Sequence, residues 1–340
     1  MSSYGETKLL ISPGQGSQRE NLYELAEKIP EVREAYEHAD EISLELFGPT
    51  QIDGKSLSTH AKHATQAELA SNTIVTQPLI VATTVGLIKF IKQHEHFTTS
   101  YGHSLGELSA LFAAGSLSET EVLRLAMLRG RFYGEASLQR PGAMAALMNI
   151  PHEVKEKLPF AGENEAEGEV GIATDNNPDQ FTISGPLEKV NAVVANVREQ
   201  YQNVRGLSRE EKRKLPNAVR MKIDGAFHSW MMRPAQLDWK TELEAATFSV
   251  PKEMNYYSNH SHTYEASPDI IRNHLVEQLV HPVKFWYDIG RLIADGHIVL
   301  VEAGAGSVLT DGLKEQQAKG RLASHIKLIA AEESMLKNAV

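Results

Sequence analysis

The residues best placed to do chemistry lie in GHSLG, 102–106, between a strand-like stretch ending at Tyr101 and the helix-like LSALFAAG. Gly-x-Ser-x-Gly in that setting is a nucleophile elbow: a sharp turn forces the serine into strained backbone and exposes its hydroxyl at a helix N-terminus. There the backbone N–H groups and the helix dipole favour a developing oxyanion. Ser104 is therefore a candidate acyl-accepting nucleophile, and it needs a base. The chain has 14 histidines. His103 is adjacent, but neighbouring side chains on an elbow diverge, so it reads as a packing or polar-network residue. His228, in GAFHS, is one base candidate among several. The His60/His63 and His260/His262 pairs have no carboxylates in helical register, so no metal site is expected. PGQGSQ, 13–18, follows a strand, and its glycines can turn backbone N–H groups toward a ligand; it is too short for a P-loop. Arg129 sits in the largely apolar LRLAMLRGRF, where an inward guanidinium is costly unless a carboxylate pairs with it. A substrate can supply that partner in a bidentate fork. Arg131 reads as the surface residue of the two.

These residues need a scaffold. KLLIS, 8–12, reads as a buried strand ending at Pro13-Gly14. Helical spacing runs over 22–47 with a break at Pro30, and again over 65–94, where Pro78 is expected to open a second helix. A further helix is expected over 118–137, with SETE as its capping box. From Gly142 the texture changes: GAMAALMNI, PHEVKEKLPF, EVGIATDN, QFTISGP, LEKVNAVVANVREQY and RMKIDGAF follow one another as β-α-β-β-α-β, the order of a ferredoxin-like unit. EMNYYSN, a helix around 270–279 and the buried strand HIVLVEAG then resume the first pattern. The expected fold is an α/β body with a parallel sheet, residues 1–140 and 224–340, interrupted by a small α+β domain over 141–223.

Composition narrows the function classes. The chain contains no cysteine, which excludes disulfides, thiol nucleophiles and thiolate metal sites and fits a reducing, cytoplasmic setting. No signal peptide is read in MSSYGETKLL. The apolar run LIVATTVGLI reads as too short and too interrupted by threonine to span a bilayer. A formal net charge of −10 argues against broad nucleic-acid binding, and an acidic protein partner would need a local basic patch.

Seven motifs in order carry a family resemblance: PGQGSQ, GHSLGE, RG at 129–130 before GAMAA, NNPDQFTISG, GAFHS, EQLVHPVKFW and VEAGAGSVLT. Together they resemble the malonyl-CoA:acyl carrier protein transacylases and the acyltransferase domains of fatty acid and polyketide synthases. The resemblance implies an α/β-hydrolase-like body and transfer of malonyl from coenzyme A to the phosphopantetheine thiol of an acyl carrier protein. It implies Ser104 as acylated nucleophile, His228 as base oriented by a backbone carbonyl near Gln278, and the Gln15 and Leu105 N–H groups as oxyanion hole. Arg129 would hold the malonyl carboxylate, and Asn176 would line the pocket, with Thr174 standing where the family often has Asn. Phe227 and Leu105 resemble malonyl-selective rather than methylmalonyl-selective relatives. No cofactor is implied, and the expected state is a monomer. The rival activity is hydrolysis of acyl groups from carrier proteins, against which Arg129 speaks. The chain departs from the family pattern at RENLYEL after PGQGSQ, at Ala305 where proline is typical, and in the acidic ENEAEGE and basic RGLSREEKRKLPNAVR segments; the last is a candidate docking patch for an acidic carrier protein. These departures point to a polyketide-pathway enzyme at least as readily as to a fatty acid one.

Overall fold

The computed structural model describes residues 7–161, 168–202, 206–223 and 225–332. Strands β1 (Lys8–Ser12), β2 (Thr99–Gly102), β7 (Asn255–Ser258), β8 (Thr263–Tyr264), β9 (Val299–Glu302) and β10 (Lys327–Ala330) form one sheet in the order β10-β9-β1-β2-β7-β8. All neighbours are parallel except β8, which returns antiparallel on β7. Strand alternation explains its burial on both faces. Leu9 and Ile11 pack with Tyr101, Tyr257 and Leu300 on one side, while Leu10 packs with Val299, Val301 and Tyr256 on the other.

Strands β3 (Gly142–Met148), β4 (Gly171–Asn177), β5 (Gln180–Pro186) and β6 (Asn217–Arg220) form a second, antiparallel sheet in the order β4-β5-β3-β6. Here alternation divides labour. Ala143, Ala145, Leu147, Phe181 and Ile183 form a separate core with Val190 and Val194 of the Leu187–Val197 helix. Met144, Ala146, Thr174, Asn176 and Thr182 face a cleft shared with the larger sheet. A backbone link, Asp175 N–H to Val283 O at 2.8 Å and Val283 N–H to Ala173 O at 2.9 Å, laces the small sheet to the segment after the Pro268–Glu277 helix.

Four expectations needed correction. The Thr73–Lys92 helix runs through Pro78 instead of starting there, because Asn72 caps it by accepting from the Val75 N–H at 3.3 Å. That helix is long and apolar enough to cross a membrane by length and composition, contrary to the short run read above, but it is buried in the core of this fold. SETE makes half a capping box: Ser118 accepts from the Glu121 N–H, while the Glu121 carboxylate turns to Arg124 at 3.3 Å. Among the described residues of RMKIDGAF only Arg220 is strand, and the rest of β6 lies upstream. Strand β10 was not anticipated. Most of ENEAEGE lies outside the described residues.

Candidate active site

The first requirement is a serine held at a bend. Strand β2 ends at Gly102, the Gly106–Ala113 helix begins four residues later, and Ser104 between them has φ 51°. Close approach is what the glycines provide. A Cβ on Gly102 would lie 2.2 Å from the Glu107 nitrogen, and one on Gly106 would lie 2.1 Å from the Ser12 carbonyl oxygen. Ser12 and Gly102 are register partners at the carboxyl ends of β1 and β2, so PGQGSQ and GHSLGE leave the sheet side by side. That edge is where open parallel sheets bind ligands.

The Ser104 hydroxyl donates to His228 Nε2 at 2.7 Å. On the other side of the ring, Nδ1 lies 2.9 Å from the Gln278 carbonyl and 3.0 Å from that of His281. Two carbonyls can only accept, so Nδ1 carries the proton and Nε2 is free to receive one. Burial, then the charge of Arg129, lowers the His228 pKa to about 3. Among the described residues neither the Gln15 nor the Leu105 backbone N–H donates to a protein acceptor. Leu105 caps the helix N-terminus, where such N–H groups are orphaned by geometry.

Arg129 is 3% exposed, and among the described residues it forms no ion pair with a carboxylate. Its terminal nitrogens donate to neutral oxygens: Gln77 Oε1 at 3.0 Å, the Tyr133 hydroxyl at 3.0 Å and Gln278 Oε1 at 3.1 Å. Tyr133, one turn further along the same helix, also meets Phe227 edge-on at 4.5 Å between ring centroids. Gln77 in turn reaches the side chain of Gln15 at 3.4 Å, which ties the PGQGSQ loop to the same network.

The cleft has a volume of about 270 Å³, and Ser104, His228, Gln15, Phe227 and Asn176 all line it. Arg129, Gln278 and Leu105 lie behind that lining, with Gln278 bridging Arg129 to the Ser104 carbonyl, to which its side-chain nitrogen donates at 3.0 Å. Asn176 accepts from His103 Nε2 at 2.9 Å, so His103 is a polar-network residue as expected. Thr174 also lines the cleft and is hydrogen-bonded to Thr182 at 2.8 Å. Three of the four paired histidines have structural partners. His60 meets the Ile52 carbonyl at 2.8 Å, His262 meets Asp288 at 2.8 Å, and His260 meets His274 at a tilt and His281 edge-on. Among the described residues no group of three or more potential ligands is arranged to hold a metal.

Sequence reasoning missed Glu107, Gln77, Tyr133, Asn259 and the side-chain role of Gln278. Some signals were available: Tyr133 is four residues from Arg129 on one helical face, and Glu107 and Gln77 are strongly polar side chains in largely apolar helices. The contact of Asn259 and Gln278 with the elbow arises only when β7 and the segment after the Pro268–Glu277 helix converge on it.

Fold and site together define the class. A family profile described as the acyl transferase domain matches residues 10–333, which places the chain among the acyl transferases. The malonyl CoA-acyl carrier protein transacylase of Bacillus subtilis (strain 168) is 31% identical over 309 residues, covering 90% of this chain and 89% of that protein. That of Escherichia coli O157:H7 is 32% identical over 305 residues, covering 88% and 89%. Among solved structures, the acyl-carrier-protein-S-malonyltransferase from Bartonella henselae matches with a TM-score of 0.77 at 27% identity, over 98% of this chain and 99% of that one. A malonyl-transacylase solved in complex with a type II PKS acyl-carrier protein matches at 0.75 and 25% identity, over 95% and 94%. The chain belongs to the malonyl CoA-acyl carrier protein transacylase family.

Proposed function

We propose that this protein moves a malonyl group from coenzyme A to the phosphopantetheine thiol of an acyl carrier protein through an ester on Ser104. His228 Nε2 takes the hydroxyl proton as Oγ attacks the thioester carbonyl. The Gln15 and Leu105 N–H groups hold the resulting oxyanion. Collapse expels the coenzyme A thiolate, which recovers the proton from the imidazolium. The carrier thiol then gives its proton to His228, attacks the ester carbonyl, and leaves as a malonyl thioester while Ser104 regains its hydrogen. His228, held neutral in the Nδ1–H tautomer, is ready for the first step without an acidic third residue.

One observation carries the substrate reading: Arg129 is a buried cation with only neutral partners among the described residues. A malonyl carboxylate supplies the missing charge, whereas an acetyl group leaves the cation uncompensated. The same point speaks against a hydrolase for simple acyl chains. Phe227, buried on the cleft wall beside His228 and packed on Tyr133, limits room for an α-methyl group and supports malonyl over methylmalonyl. A methyl is worth only about 1–3 kcal/mol of discrimination.

The same reading takes residues 1–140 and 224–340 as an α/β-hydrolase-like body and 141–223 as an inserted ferredoxin-like subdomain, supported by the β4-β5-β3-β6 order and by a core of its own. The enzyme works as a cytoplasmic monomer without a cofactor of its own. Intact-protein mass spectrometry tests the function. Brief exposure to malonyl-CoA should add one malonyl group at Ser104, and carrier protein should then collect it; an adduct lost to water would make the protein a hydrolase.

A further inference from the structure

Glu107 is the second residue of the helix that follows the elbow, and it is 0% exposed. Its carboxylate receives three hydrogen bonds. The Tyr256 hydroxyl and the Asn259 backbone N–H, at 3.1 Å, reach Oε1, and the Gln278 side-chain nitrogen reaches Oε2. Gln278 extends these contacts to all three groups of the proposed chemistry. Its nitrogen also donates to the Ser104 carbonyl at 3.0 Å, its Oε1 accepts from Arg129 at 3.1 Å, and its main-chain oxygen accepts from His228 at 2.9 Å.

An amide nitrogen only donates and an amide oxygen only accepts. A carboxylate on one side and a guanidinium on the other therefore admit a single orientation of the Gln278 side chain. Turned over, it would point oxygen at Glu107 and N–H at Arg129, and it would abandon the Ser104 carbonyl. The two buried charges also offset each other in part across one amide, while the guanidinium still has no carboxylate in contact among the described residues. Burial pushes the Glu107 carboxyl up to about 7, while its three donor partners favour the ionised form.

We propose that Glu107 is a positioning residue for acyl transfer: through the Gln278 side chain it keeps Ser104, His228 and Arg129 in register and acts as the resting counter-charge of Arg129. The proposal rests on the acyl-transfer reading above. Its test is a double-mutant cycle of wild type, Glu107→Gln, Gln278→Leu and the pair. Each is first checked by thermal unfolding, then assayed for first-turnover malonylation and acetylation of Ser104 by intact mass. Glu107→Gln sets one amide nitrogen against another, so malonylation should slow about 10- to 100-fold, the scale of a small misplacement at a reacting centre. The malonyl-over-acetyl preference should fall with it. In the Gln278→Leu background the same substitution should cost less than about twofold, because the route of action is already gone. Losses that multiply, or slowing with the preference intact, would overturn the proposal. If Glu107→Gln fails to fold, Gln278→Leu alone decides, since an unchanged preference in that variant contradicts the bridge. A wild-type protein that takes no malonyl group would be a different failure, that of the acyl-transfer reading itself.

Discussion

Ser104 and His228 both have left-handed backbone, at φ 51° and 60°, a costly state for residues with side chains. Their surroundings hold them there: glycine-limited packing under the serine, and two carbonyls on the far side of the imidazole. The result is an imidazole that is neutral without an acidic partner on Nδ1. Burial and the Arg129 charge lower its pKa from the usual 6.5 to about 3, so acidification through pH 6.5 should not protonate it. In the Glu107→Gln variant, which removes the neighbouring carboxyl pushed up to about 7, the kcat/KM for Ser104 malonylation, followed by quenched-flow mass spectrometry from pH 8 downward, should stay level through pH 6.5 and fall only well below it. An acid limb centred at 6.5 would contradict the assignment. Stability runs differently. The unfolded chain binds a proton on this histidine between those two pKa values and the native state does not, so acidification through that window disfavours the fold. Rates therefore have to be read where the protein remains native.

At the scale of elements, the site depends on how closely the elbow helix approaches β1. Gly106→Ala would place a methyl group 2.1 Å from the Ser12 carbonyl oxygen, which already accepts the His103 N–H at 2.9 Å. Backbone atoms cannot step aside as a flexible side chain would. This substitution should destabilise the protein by about 3 kcal/mol, at the upper end for overpacking; a shift in the urea midpoint equivalent to less than about 0.5 kcal/mol, the scale of a neutral surface change, would contradict the packing account. The elbow was legible in the sequence because its requirements are local: a strand, two glycines and a helix start. The apolar run KLLIS likewise revealed a buried strand, and the succession of strand-like and helix-like stretches revealed the order of elements around the second sheet. Pro78 misled because a capping asparagine six residues earlier had already started the helix, and proline was then carried inside it at the loss of one N–H. Four-residue β10 was missed because KLIA is too short for alternation to register; its pairing with β9 is a tertiary fact.

At the scale of the molecule, two sheets meet over one cleft, and their joint is secured at both ends. Near β4 it is the backbone link to Val283. At the β4–β5 turn it is Asp179, which receives Gln316 at 3.0 Å, Lys319 at 2.8 Å and Arg321 at 2.6 Å. Such long-range pairings, like the meeting of Glu107, Gln278 and Arg129, leave no spacing in the chain to read, which is why the candidate residues could be singled out in the sequence and their support could not. The net charge of −10 sets a second whole-molecule problem, the approach of an acidic carrier protein. Lys212, Arg213 and Lys214 lie exposed in the basic segment. Replacing all three with Glu should raise the KM for carrier protein about tenfold while leaving that for malonyl-CoA unchanged, as rim charges act on encounter; equal effects on both would discredit docking there. The proposed role of Arg129 is to grip a carboxylate carried on Ser104, and competition between malonyl-CoA and acetyl-CoA for that serine, read by intact mass in wild type and Arg129→Ala, tests it directly. The wild type should load malonyl almost alone, and the variant should lose that preference by at least about 30-fold while still accepting acetyl, given the cost of a buried charge left unpaired. A preference that survives the loss of the guanidinium would contradict it.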